Sequence, residues 1–204
     1  MAPSDQPATP SRTRRRRDPD ARKREVIEAA ERVIAARGLE GMTHRAVAEE
    51  GGIPVASTTY HFATRDDLIQ LAFERSVDDF AAYLDALDHE QPLTTLTDLV
   101  DQLTDAVVTA CTTHRARSVL QYELFLAALR RPHLRPIANR DIALGRTRLE
   151  QMLPPNRAAA VSALMAGLIL HGMVGTTPPD RDHVHAALAD ACHLGAASDA
   201  STGN

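Results

Sequence analysis

An all-α fold of about nine helices is what the sequence predicts, and three observations predict it. Apolar residues recur at spacings of three and four along most of the chain, whereas the strict alternation of a half-buried strand is absent. Prolines fall at the boundaries of the periodic segments rather than in their interiors. Aromatics make up only 3% of residues, and β-branched clusters are short. At 204 residues the chain exceeds one typical domain and can bury a core without staples. Its two cysteines, Cys111 and Cys192, form no CxxC pair, which argues against a disulfide scaffold or a zinc finger and for a reducing cytoplasm. No apolar run is expected to span a membrane, because the best one, 158–175, is diluted by Gly, Ser and His. The arginines near the N-terminus lead into Asp18-Pro19-Asp20 rather than an apolar stretch, unlike a secretory signal.

Residues 1–18, rich in Pro, Ser, Thr and Arg, are expected to form a disordered basic arm. The first helix, 20–37, puts Val26, Ile27, Ala30, Val33 and Ile34 on one face, with Gly38 as its C-terminal stop. Leu39 and Met42 supply apolar plugs before Thr43, which reads as the N-cap of a short helix at 44–50, ended by Gly51-Gly52. A third short helix begins near Pro54 and runs to about Tyr60. Thr64-Arg65-Asp66-Asp67 has the form of a capping box opening a long helix over about 65–88, its acidic members suiting the positive end of the helix dipole. Periodic segments follow near 93–113, 116–130, 136–152, 156–173 and 180–194, separated by Pro92, His114-Arg115, Pro132 with Pro136, Pro154-Pro155 and Pro178-Pro179. The expected domains are 19–79, 80–195 and a flexible tail at 196–204, and no internal repeat is evident.

The net charge of −4 conceals an asymmetry. Residues 1–24 carry eight basic side chains against three acidic ones, a net +5 that leaves the other 180 residues at −9. A basic arm on an acidic body points to a polyanionic partner at one end, the bland alternative being an uninvolved tail. From Arg22 to Arg75, by contrast, eight basic residues face nine acidic ones. Affinity for a polyanion therefore cannot rest on that unit's net charge, and the Arg12–Arg17 cluster is the expected electrostatic contributor.

Two short helices around a glycine turn are the helix-turn-helix layout, here at about 43–62, whose second helix enters the major groove. The stretch from Arg22 to Ala72, with its segments RGLEGMT, HRAVAEEGGI, PVASTTYHF and TRDDLIQLA, resembles the DNA-binding domain of the TetR (tetracycline-repressor-like) regulators along its whole length. Ala46, Val47, Ile53 and Phe62 are expected to bury the junction with the first helix. Candidate DNA-binding residues are Thr43, Arg45, Val55, Ala56, Ser57, Thr58, Thr59, Tyr60 and His61. Their hydroxyls, phenol, imidazole and guanidinium suit phosphates and base edges, and Val55 and Ala56 suit a thymine methyl. Two features depart from the family pattern: Pro54 stands where Ser or Thr is usual, and the helix-end tyrosine falls at Tyr60 rather than at the position of Thr59.

For the rest of the chain the resemblance implies a helical ligand-binding and dimerisation domain. Candidate effector-binding residues are Leu103, Val107, Tyr122, Glu123, Phe125, Leu126, Ile142, Met165 and His171, against the plainer reading of the apolar ones as ordinary core. Helix 158–175 is apolar nearly all round, so it is either deeply buried or covered by a partner; the expected homodimer pairs about 156–194 as a four-helix bundle, with Gly167, Gly172 and Gly175 permitting close approach. The implied partners are a double-stranded DNA operator and a small-molecule effector, with no cofactor, no catalytic residues and no membrane. The implied function is a homodimeric repressor released by its ligand, the alternatives being an activator or a metal-responsive sensor of the same fold. The nine histidines make poor metal sites: His183 and His185 lie two apart on different helix faces, and no HExxH motif occurs.

Overall fold

A computed structural model describes residues 19–193; the expected basic arm and the 196–204 tail lie outside them. Among the described residues there are nine α-helices, one 3-10 turn and no strand. The helices are α1 (Pro19–Gly41), α2 (His44–Gly51), α3 (Val55–His61), α4 (Arg65–Glu90), α5 (Leu96–Cys111), α6 (Arg115–Arg130), α7 (Arg135–Leu149), α8 (Pro155–Val174) and α9 (Arg181–His193), and the 3-10 turn is Pro132–Leu134.

Local chemistry accounts for most of these boundaries. Helix α1 is interrupted at Gly38, whose φ of 66° is costly for any residue with a Cβ, so the chain turns where the sequence expects its stop. Thr43 caps α2, its hydroxyl accepting from the Ala46 N–H at 3.1 Å. Thr64 and Asp67 form the expected reciprocal capping box on α4, with both bonds at 3.0 Å. Thr95 and Asp98 repeat that device on α5, at a start the sequence pattern marks only with Pro92.

One core surrounds the first helices. Val26, Ala30, Val33, Ile34, Met42, Val47, Phe62, Leu68, Ile69 and Phe73 are buried together, and α6 adds Leu120, Leu124, Ala127 and Ala128. The core of the head thus continues past the boundary expected near residue 80 and into α6. A second core joins α5, α8, α9 and the end of α7 through Leu99, Leu103, Val107, Leu149, Val161 and Leu188. Helix α4, 26 residues and therefore about 39 Å long, runs from the first core toward the second.

Helix α8 bears on two expectations. It is long and apolar enough to cross a membrane by length and composition, with a mean hydropathy of 1.5, despite the Gly, Ser and His on which the sequence reading relied. It packs here against α5, α7 and α9. Only Ala158, Val161 and Met173 are buried along it, so deep burial within the chain does not explain its composition. The small residues also divide. A Cβ on Gly172 would sit 2.7 Å from the Cys111 sulfur, so this glycine serves the contact with α5; Gly175 meets only the neighbouring backbone carbonyls of His171, Gly172 and Thr177, and Gly167 faces open space.

Candidate nucleic-acid interface and effector cavity

The turn between α2 and α3 is fixed by backbone. Gly52 adopts the left-handed conformation (φ 59°) and its N–H returns to the Ala48 and Glu49 carbonyls. The Ile53 N–H bonds the Ala48 carbonyl at 3.0 Å. Pro54 is extended and precedes the first turn of α3 instead of occupying it, contributing no side-chain cap. The Phe62 side chain, 1% exposed, pins the far end of α3 into the core.

With α3 held at both ends, its outer face is defined. Val55, Ala56, Thr59 and Tyr60 are exposed, Tyr60 at 84%. Ser57 and His61 are half-buried, and the His61 ring stands edge-on to Tyr60 with centroids 5.1 Å apart. Thr43 and Arg45 are exposed at the start of α2. Thr58 departs from the sequence expectation: it is fully buried and its hydroxyl donates to the Val55 carbonyl at 2.8 Å. Its polarity is spent inside the helix, leaving a methyl for the core. Thr59 also donates to its own helix, but its oxygen keeps acceptor capacity on the open face.

Two positioning residues escaped the sequence reading. The Arg65 guanidinium donates to the Met42 carbonyl at 2.5 Å and to the Leu39 carbonyl, clamping the start of α4 onto the turn that presents Thr43. From the other side, the Glu123 carboxylate of α6 accepts from the Leu39 N–H at 3.4 Å and approaches Gly38. Arg65 sits in the capping sequence of α4, where charge reads as a solvated face, and Glu123 was expected at the effector site instead; only the turn's unpaired backbone groups hinted at a need for them here.

Between α4, α5, α6, α7 and α8 lies a cavity of about 220 Å³. Of the expected effector residues, Leu103, Tyr122, Phe125, Ile142 and Met165 line it. Four expected residues do not. Val107 is turned wholly into the second core, Glu123 reaches the α1–α2 turn, Leu126 is 61% exposed on the outer side of α6, and His171 is exposed on α8. A single residue step, about 100° around the helix, separates the lining Phe125 from the outward Leu126, and periodicity alone does not say which apolar position faces the hollow. The Tyr122 hydroxyl donates to the Ala166 carbonyl, and burial pushes its pKa up to about 12.

Charged residues also line the cavity. Arg148 is held by Asp88 and Gln102, each at 2.7 Å. Asp141 is buried, accepts from Gln121 at 2.6 Å, and is raised above the usual carboxylate range mainly by desolvation. Arg117 stacks on Phe80 and Tyr83, its guanidinium carbon 5.3 and 5.6 Å from their ring centroids. A shallower hollow between α1, α4 and α6 contains Glu31, whose pKa burial raises to about 7. Among the described residues, no group of three or more His, Cys, Asp or Glu side chains is gathered as a metal site.

Comparisons with known proteins give the same division of labour. Residues 26–72 match the bacterial regulatory proteins of the tetR family, and residues 94–194 match the tetracyclin repressor-like C-terminal domain. The HTH-type transcriptional regulator PksA of Bacillus subtilis (strain 168) is 35% identical over 57 residues, a match spanning 28% of each protein. SCO1917 of Streptomyces coelicolor A3, a TetR family member of known structure, is 34% identical with a TM-score of 0.71, over 84% of this chain and 98% of that one. SCO7518 of Streptomyces coelicolor A3(2), also of known structure, is 27% identical with a TM-score of 0.72 over the same shares. The multidrug binding protein EbrR, in its complex with ethidium, is 34% identical with a TM-score of 0.69, over 83% of this chain and 97% of that one.

Proposed function

Because the chain belongs to the TetR family of DNA-binding transcriptional regulators, we propose that it acts as a homodimeric repressor, released from a near-palindromic operator by a small molecule. The observation that carries the DNA-reading half is the exposed row Val55, Ala56, Thr59 and Tyr60 on α3, flanked by Thr43 and Arg45. Such a row, on a helix pinned by Phe62, has no packing role to explain it. Ser57 and His61 border it; Thr58 supports it from beneath.

Two copies would place two recognition helices in successive major grooves about 34–36 Å apart. What supports pairing through α8 and α9 is the unburied apolar side of α8, where Ala163, Leu170 and Val174 recur at helical spacing and are exposed. The place of action is the cytoplasm, where a bacterial operator lies.

The cavity between α4 and α8 is the proposed effector site. EbrR is known in complexes with ethidium, proflavin, malachite green and imidazole, which supports a small-molecule effector here without naming it. A ligand shifts DNA affinity only as far as it binds one separation of the reading heads better than the other. Selection of bound sites from random DNA, followed by footprinting, tests the reading directly. A palindrome with half-sites about one helical turn apart is the expected result; protection without any preferred sequence refutes it. A promoter-reporter assay separates repression from activation.

A further inference from the structure

The effector cavity has a chemistry that the family assignment does not supply. The chain holds only three tyrosines and four phenylalanines, with no tryptophan. Four of those seven aromatics, Phe80, Tyr83, Tyr122 and Phe125, line this one hollow. Aromatic walls favour a flat, polarisable ligand through stacked and edge-on contacts.

The charges are not equivalent. Arg148 already has Asp88 and Gln102 as partners. The Asp141 carboxylate already receives Gln121, and burial disfavours its charged form. The Arg117 Nη2, by contrast, is buried without a hydrogen-bond partner. Its guanidinium lies against two of the aromatic walls, and its charge is felt by Asp141, another lining residue. A buried donor left unmatched costs about 1–3 kcal/mol, and a guanidinium is met best by a planar carboxylate, which accepts two parallel bonds.

Size narrows the ligand further. A dry cavity of about 150 Å³ holds benzene, and this one measures about 220 Å³. It is therefore suited to one or two fused rings rather than to a large dye.

We propose that the effector is a small aromatic acid, one or two rings bearing a carboxylate that pairs with Arg117. The proposal rests on reading this cavity as the effector site. It sets this chain apart from a binder of cationic dyes such as ethidium, for which Asp141 would be the natural partner.

The test measures binding of 2-naphthoate, its neutral amide 2-naphthamide, and ethidium to the full-length protein by calorimetry. The naphthoate is expected to bind at least about tenfold tighter than the amide, because charge-assisted bonds are roughly twice as strong as neutral ones. Arg117→Met, which keeps a stem against Phe80 and Tyr83, should erase that ratio while leaving amide binding in place; Arg117→Lys should restore part of it. Equal binding of acid and amide to the wild type overturns the acid proposal and leaves the cavity reading standing. So does ethidium binding tighter than naphthoate and being lost in Asp141→Asn. Failure of all three probes to bind overturns the cavity reading and the ligand class together. The wild-type ratio decides the matter even where a variant does not fold.

Discussion

Replacing Glu31 by glutamine should make the protein more stable at pH 8 and hardly change it at pH 5. Glu31 sits on α1 in the hollow against α4 and α6, with one carboxylate oxygen buried and without a hydrogen-bond partner. Desolvation dominates its surroundings; Arg75 and Arg32 favour the charge, Asp79 and Glu28 oppose it, and Arg117 faces the hollow from α6. The net effect lifts its pKa from 4.5 to about 7. Between those values the folded chain binds more protons at this site than the unfolded chain does. Stability therefore falls as pH rises through that window, and the cost is fully present above about pH 7. The displacement corresponds to at most about 3 kcal/mol. The side chain is partly open to solvent, so screening brings the figure to about 1–2 kcal/mol. For a chain of this length that is a Tm rise of about 3–6 °C at pH 8. Thermal unfolding of both proteins from pH 5 to 8.5 measures it, the difference between them cancelling other titrating groups. A difference that is flat with pH, or larger at pH 5, would refute the reasoning.

Tyr60→Ala removes an exposed ring with no core contact, so it should leave the fold and the dimer intact. With each base contact worth about 1–3 kcal/mol and two copies per operator, specific affinity should fall about 30-fold or more in a gel-shift titration; wild-type affinity would mean that α3 reads DNA with another face. Thr64→Ala abolishes the capping box of α4 and should cost about 1 kcal/mol, read as a lower midpoint in urea. Leu170→Glu combined with Val174→Glu places charges on the exposed side of α8 and should yield monomers by light scattering; an unchanged dimer would locate the interface elsewhere. Deleting residues 1–17 should weaken operator binding and flatten its dependence on salt, and an unchanged salt slope would remove the arginine arm from the interface.

The fold was legible because its punctuation is local. Gly38, Thr43, Gly52 and the Thr64–Asp67 box each act within one turn of helix, and the structure uses each as the sequence suggests. The outer face of α3 was legible for the same reason, except at Thr58, where polarity suggested exposure but the hydroxyl is satisfied by its own helix. The cavity was only half legible. Apolar residues on a helix announce burial, but whether they meet a neighbour, as Val107 does, or a hollow, as Leu103 does, depends on how five helices meet. The charged residues that distinguish the hollow, Arg117, Asp141 and Arg148, carry no local signal in the sequence, because their partners lie on other helices.

The same distinction bears on how binding in the cavity reaches the DNA. Helix α6 presents Tyr122 and Phe125 to the cavity, and between them in sequence Glu123 reaches the α1–α2 turn at Leu39. Arg65, from α4, grips the same turn at Leu39 and Met42. One short turn, immediately before the Thr43 cap, thus receives a contact from each of two cavity-lining helices. On the proposed mechanism a ligand need not deform the recognition helix itself. A sub-ångström shift of α6 relative to α4 suffices to change how that turn is held, because packed cores pass between discrete arrangements rather than bend continuously. The coupling has a ceiling. The Glu123 bond is long at 3.4 Å, and a charged hydrogen bond is worth about 1.5–3 kcal/mol net at best. That is about a 10- to 150-fold change in affinity, the range typical of allosteric coupling. A much larger ligand response would have to draw on relative motion of the two subunits as well.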